Sequence, residues 1–173
     1  MNGKKQIQQA YASILDNDFE QAIRSFEQAI ELEPDNPEYH YKLSITYARS
    51  GKLSQALKHA QLACDLEPAH ETYRYQLLHL QAMELVRKAE KLADAGGRRH
   101  LKQAVRLLQE AILKDSLSLE AYLLLSGVYA ELGHFRQAAR AAQEALKLNP
   151  HHEDVLQHIE RYHDQFAPYM TKE

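Results

Sequence analysis

Ten histidines stand in the chain, and imidazole is the commonest side-chain ligand for transition metals. Two histidines can share one metal ion on a helix only when they lie on one face, as in His-x3-His. No such pair occurs. His151 and His152 follow Pro150, where a helix must end, and His158 and His163 are five residues apart, on different faces. The spacings predict solvated surface and turn histidines and no metal site. Asp16-Asn17-Asp18 with Glu20 starts like a calcium loop but lacks its central glycine and distal glutamate. Side chains of these types bond their own backbone, so Asp18 is the expected N-cap of a helix. Cys64 is the single cysteine and has no His-Asp grouping beside it in sequence. Gly96-Gly97 follows no strand and precedes no Lys-Ser/Thr, so it cradles no phosphate. The chain predicts no nucleophile, no cofactor and no enzyme.

One charge pattern remains. Residues 85 to 106 carry Arg87, Lys88, Lys91, Arg98, Arg99, Lys102 and Arg106 against Glu90 and Asp94, seven basic side chains to two acidic and a local balance of +5. The whole chain is −3, so the remainder is −8. Arg98, Lys102 and Arg106 fall at i, i+4, i+8 and form one helical stripe. Such a stripe either keeps a protruding segment soluble or docks an acidic surface, of a protein or of RNA.

The elements that would carry these groups follow from composition and periodicity. The chain has 173 residues, 45% apolar and 26% charged, the balance of a soluble globular protein. With 21 basic against 24 acidic residues, bulk attraction to nucleic acid is disfavoured. No apolar run of ~18 residues suggests a membrane span, and the N-terminus does not look like a signal peptide. A cytoplasmic location is the expectation. Six glycines and five prolines among many helix formers point to an all-α chain.

The helices recur. Glu-Leu-Glu-Pro ends at Pro34 and Asp-Leu-Glu-Pro at Pro68, 34 residues on; Lys-Leu-Asn-Pro ends at Pro150, a further 82. That interval is two periods plus fourteen residues. Four units follow, each of two amphipathic helices with a turn such as Gly51 between them and proline as the stop. The fourteen extra residues fall between Leu78 and Ala104. The stripes Leu78, Ala82, Leu85, Ala89, Leu92 and Leu101, Ala104, Leu108, Ala111 predict two helical arms, each lengthened by about two turns, with Gly96-Gly97 at the tip. Val155, Ile159, Tyr162 and Phe166 share a face and predict a capping helix.

This pattern resembles the tetratricopeptide repeat family. The second unit carries His40-x2-Leu43-Ser44-x2-Tyr47, then Ala56-x3-Ala60, Ala63 and Pro68. The fourth carries Tyr122-x2-Leu125-Ser126-x2-Tyr129, Gly133, Ala138-x3-Ala142, Ala145 and Pro150. The first keeps Ala22-x3-Phe26, Ala29 and Pro34, and the third keeps Leu77, Ala104 and Ala111 with Ser116 in place of proline. The resemblance implies a right-handed α-solenoid forming a single domain over 1–173. Its repeats are expected at about 3–36, 37–70, 71–118 and 119–152, with a capping helix over 153–166 and a mobile tail over 167–173.

The resemblance also implies a function, that of a non-catalytic scaffold or adaptor whose first helices line a groove for a partner peptide or helix. The matching positions are Ile7 and Tyr11, Tyr41 and Ile45, Tyr75 and His79, then Leu123 and Gly127, with Arg49 one turn further along. These describe an aromatic and aliphatic groove with little charge, in which Tyr41 and Tyr75 face solvent. A lysine–asparagine–arginine clamp for acidic chaperone tails is missing, since Ile7, Tyr11, Tyr75 and Gln76 occupy its places. Two further readings stand beside this one. The basic residues Arg87, Lys91, Arg98, Arg99, Lys102 and Arg106 could hold RNA or an acidic partner. The incomplete N-terminal repeat could stack on another copy as a homodimer.

Overall fold

The computed structural model describes residues 3–170, and among these the regular elements are ten helices with no strand. Contacts divide the chain into two compact units, with the boundary between Gln81 and Ala82.

In the first unit, α1 (Lys4–Leu15), α2 (Phe19–Leu32), α3 (Pro37–Arg49) and α4 (Leu53–Leu66) pack each on the next. Side-chain caps fix where α2 and α3 begin. Asp18 Oδ1 accepts from Gln21 N at 2.9 Å, and Asn36 Oδ1 accepts from Glu38 N at 3.1 Å with Pro37 opening α3. Between α3 and α4 the chain turns through Gly51 at φ 77°, a conformation that costs a side-chain-bearing residue. Ala10, Ile23, Phe26, Leu43, Tyr47, Ala56, Ala60 and Leu80 form the core. Small residues at Ala56 and Ala60 let α4 approach its neighbours closely.

Helix α5 runs from Glu71 to Ala95. Its first part belongs to the first unit, where Tyr73 joins Ala63 and Cys64 in a second cluster and Leu77 packs on both clusters. Its second part belongs to the second unit, with α6 (Arg98–Lys114), α7 (Leu119–Glu131), α8 (Phe135–Leu148), α9 (Glu153–Arg161) and α10 (His163–Phe166). There Ala82 and Ala89 pack with Leu101, Ala104, Leu108 and Ala111 of α6 and with Leu125 and Val128 of α7. Five alanines of α8 are buried, three of them (Ala138, Ala139 and Ala142) packed with Phe166 of α10.

The expectation of two extra turns in each arm needs correction. Helix α5 has 25 residues against 13 in α3, a gain of twelve, whereas α6 has 17 against 14 in α4, a gain of three. The lengthening sits almost wholly in α5, and α6 exceeds its counterpart by only ~4.5 Å. The physical reason is that α5 serves two cores in succession. Residues 71–81 close the first unit, and residues 82–95 start the helix pairing of the second.

The capping segment also differs. Val155 and Phe166 are buried as expected, but the helix breaks at Tyr162 (φ −107°, ψ 21°) into α9 and α10. The break brings the Tyr162 and Phe166 rings into a stack, centroids 5.4 Å apart. Of the expected mobile tail, residues 171–173 lie outside the described residues. The described part is turned back on α10, with Tyr169 N and Met170 N both donating to Phe166 O (2.8 and 3.1 Å).

Candidate functional site

The second unit contains a cleft of about 470 Å³ between α5, α7 and α9. Each helix offers one face to it. Helix α7 contributes Glu120, Leu123, Leu124 and Gly127 at i, i+3, i+4, i+7; α9 contributes Asp154, Gln157, His158 and Arg161 at the same spacing. Val86 and Glu90 of α5 complete the lining. The apolar members are half-buried and the charged ones exposed, so the cleft has an apolar floor and a charged rim. Three carboxylates stand on that rim against one guanidinium. Glu90 and Glu120 form no ion pair among the described residues, and Asp154 has only a distant contact with His152 at 4.0 Å.

Gly127 is informative because it lies inside α7, where glycine costs about 1 kcal/mol relative to alanine. A Cβ there would meet only His158 Cε1, at 3.9 Å, an ordinary contact. Packing within the chain therefore does not require the glycine. What its missing side chain does is leave the cleft floor open.

His158 is fixed from below. Ser126, fully buried, donates its hydroxyl proton to Ala138 O (2.8 Å) and lies 2.8 Å from His158 Nε2. With that proton committed, the serine oxygen accepts, so His158 Nε2–H is the donor. This polarity is opposite to that of a serine activated for attack, where the imidazole takes the hydroxyl proton. The pair positions α9 against α7. Burial, with Arg161 adding to it, depresses the His158 pKa and favours the neutral ring.

The residues expected to line a groove are distributed as follows. In the first unit Ile7 and Tyr11 face a cleft of about 300 Å³ with Lys4, Glu38 and Lys42. Tyr11 sets its ring edge-on to Phe26, centroids 6.0 Å apart. Tyr75 is 70% exposed beside Arg74 and Leu78. Tyr41, by contrast, is half-buried against the ring of Tyr73 at 5.1 Å, because that neighbouring tyrosine fills the space between α3 and α5. Ile45 is half-buried and His79 exposed. The Arg49 guanidinium lies 4.8 Å over the Phe19 ring. Leu123 lies in the cleft of the second unit with Gly127. Both clefts carry more charge than the expected groove with little charge: Lys4, Lys42 and Glu38 flank the first, and three carboxylates with Arg161 flank the second. Arg87, Lys91, Arg98, Arg99, Lys102 and Arg106 are all exposed, and none forms an ion pair among the described residues, so Asp94 does not offset Arg98 or Arg99.

Sequence reasoning missed Val86, Glu90, Glu120, Leu124, Asp154, Gln157, His158 and Arg161 as lining residues. The polar face of α9 gave no signal of its own, because a helix that caps a repeat stack carries a polar outer face in any case.

The histidines also need correction. His40 is buried, not solvated, and its Nδ1 lies 3.0 Å from Nδ1 of His59 while its Nε2 donates to Pro34 O at 2.8 Å. The His59 ring stacks on His40 and Tyr47, and Tyr47 donates to Glu27. Burial, then His40 and Lys58, against a smaller opposing pull from Glu27, lower the His59 pKa from 6.5 to about 4. A lowered histidine pKa stabilises the fold fully above the unfolded value, and that contribution fades as pH falls toward 4. After discount for partial exposure, about 1–2 kcal/mol should be lost between pH 7.5 and 4.5, as read by urea unfolding. A His59→Asn chain should lose less over the same interval; an equal loss would place the effect elsewhere. Among the described residues no three His, Cys, Asp or Glu side chains group as metal ligands.

Comparison with known proteins agrees with the repeat geometry. Residues 12–51 match the family model described as a TPR repeat, and residues 119–152 match the one described as a tetratricopeptide repeat. The chain is a tetratricopeptide-repeat protein. The second match coincides with α7 and α8, and the first runs from α1 into the turn after α3. Among solved structures, this tetratricopeptide-repeat chain is similar to MamA (20% identity, 96% of this chain and 84% of that one, TM-score 0.55). It is also similar to MamA 41-end from Desulfovibrio magneticus RS-1 (19% identity, 96% and 88%, TM-score 0.58). A third is YrrB, described as a TPR protein with an unusual peptide-binding site (18% identity, 87% and 71%, TM-score 0.51). These likenesses establish the fold. No curated protein matches the chain. Tetratricopeptide-repeat folds serve broadly as protein–protein interaction scaffolds. No helix among the described residues is long and apolar enough to cross a membrane.

Proposed function

We propose that this tetratricopeptide-repeat protein is a non-catalytic, cytoplasmic scaffold that holds a partner segment, and that its principal site is the α5–α7–α9 cleft. The repeats over 3–36, 37–70, 71–118 and 119–152 and the cap over 153–166 act as a single domain in this reading. One observation carries the site: an apolar floor left open by Gly127 lies under a rim with three carboxylates. That surface suits a segment whose apolar residues enter the floor while lysine or arginine meets Glu90, Glu120 and Asp154. Its ordering cost was met when the repeats folded, so a short segment can bind without remodelling it. The tyrosine-bearing surface of the first unit, with Ile7, Tyr11, Tyr41, Ile45, Arg49, Tyr75 and His79, is a second contact area in the same reading.

The test is a calorimetric titration with three leucine-containing peptides of equal length, one rich in lysine, one neutral and one rich in aspartate. The lysine peptide should bind at least about tenfold more tightly than the neutral one at low salt, and the aspartate peptide should not bind. Equal affinities would remove the charged rim from recognition. A preference for the aspartate peptide would shift the site to the basic residues of α6.

A further inference from the structure

The outer face of α6 has the chemistry that the cleft calls for. Helix α6 buries Leu101, Ala104, Leu108 and Ala111, which directs Arg99, Lys102, Arg106 and Leu113 away from the core. All three cations are exposed, Leu113 is 87% exposed, and Glu110 is the single acid on the helix. The arrangement is unfavourable in isolation. Lys102 and Arg106 are like charges at i, i+4, and Arg98 and Arg99 sit at a helix N-terminus that has no acid in its first turn and no side-chain cap. An anionic partner surface would relieve both costs.

From this we infer that the carboxylate-rimmed cleft of the second unit receives the basic outer face of α6 from a second copy of this chain. The inference rests on the cleft being a binding site and names its occupant. The two surfaces complement each other twice: Lys102 and Arg106 can meet Glu90, Glu120 and Asp154, and Leu113 can enter the floor of Val86, Leu123 and Leu124. They do not meet within one molecule, since no α6 residue lines the cleft and the outer face of α6 points away from the core that joins it to α5 and α7. Donor and acceptor patches differ, so the contact is either exchanged reciprocally in a two-fold dimer or repeated head-to-tail, and in both cases the mean mass rises with concentration. The attraction is between exposed charges, so it is weak and salt-sensitive.

Sedimentation of the full chain tests this, between ~20 mM and ~500 mM sodium chloride and up to ~1 mM protein. At low salt the mean mass should rise with concentration above 19.9 kDa, and at high salt it should return to that value. Lys102→Glu with Arg106→Glu, and separately Glu90→Lys with Glu120→Lys, should each weaken association by at least about tenfold. An equimolar mixture of the two variants should associate again, because the reversed stripe now fits the reversed cleft. Circular dichroism of each variant checks that the helices persist. A parent chain that stays at 19.9 kDa under all conditions, or variants that associate like the parent, overturns the inference. So does a mixture that stays monomeric. A parent chain that stays monomeric yet binds a lysine peptide in the cleft refutes the self-contact and leaves the proposed function standing. Failure of both refutes both. If an RNA oligonucleotide binds the parent, does not bind the Lys102→Glu/Arg106→Glu variant, and no self-association occurs, the stripe belongs to RNA and the inference falls.

Discussion

Phe26→Ala is expected to destabilise the first unit by about 4 kcal/mol. Phe26 is fully buried among Ala10, Ile23, Leu43 and Tyr47. Its loss removes a whole ring from water-excluded surroundings and leaves a cavity that the neighbouring alanines cannot fill. It also removes the edge-on contact with Tyr11, worth about 0.5–1.5 kcal/mol in comparable pairs. Among the remaining large side chains of that core, Leu43 and Tyr47 are held by the backbone of α3 and collapse only partly into the space. Phe26→Leu should recover most of the loss, because a branched aliphatic fills much of the same volume. Denaturant unfolding of parent and variants decides the matter. A cost below about 1 kcal/mol for alanine would mean that the core of α1–α4 is not packed as described.

Neutralising the cleft rim should have the second large effect. Glu90→Gln, Glu120→Gln and Asp154→Asn together should weaken a lysine–leucine peptide by roughly 100-fold at low salt. Each carboxylate is exposed, so a single charge pair supplies up to about 1 kcal/mol, and three up to about 3. The salt dependence of binding should flatten at the same time, since the screened attraction is what has been removed. Stability should fall by about 0.6–2 kcal/mol. Glu120 and Asp154 stand in the first turns of α7 and α9, where each carboxylate contributes about 0.3–1 kcal/mol through the helix dipole. Gly127→Leu provides the uncharged counterpart, filling the floor while improving helix propensity, and should block the peptide without loss of helicity. Unchanged affinity in both variants would remove the cleft from the account.

Much of this was legible in the sequence. Pro34, Pro68 and Pro150 mark helix ends because proline cannot continue the hydrogen-bond ladder, and α2, α4 and α8 end at Leu32, Leu66 and Leu148. Asp18 caps α2 as its type and position require. Other features depend on groups far apart in the chain, which local periodicity does not contain. The fourteen extra residues read as a symmetrical hairpin because the apolar stripe of α5 is continuous; which core each part of that stripe faces is set by the helices packed on it. Tyr41 and Tyr75 share a repeat phase, but Tyr73 lies against one of them only. His40 and His59 are nineteen residues apart and meet only through the α3–α4 packing. The cleft carboxylates come from positions 90, 120 and 154, one on each of three helices, and two of those helices read from sequence as a projecting arm and a cover.

Amide chemical-shift mapping with a lysine–leucine peptide tests the position of the binding site most directly. The shifts are expected to cluster on Val86, Leu123, Leu124, Gly127 and His158, and to vanish in the Glu90→Gln/Glu120→Gln/Asp154→Asn chain. Shifts confined to the tyrosines of the first unit, or to Lys102 and Arg106 of α6, would contradict this position.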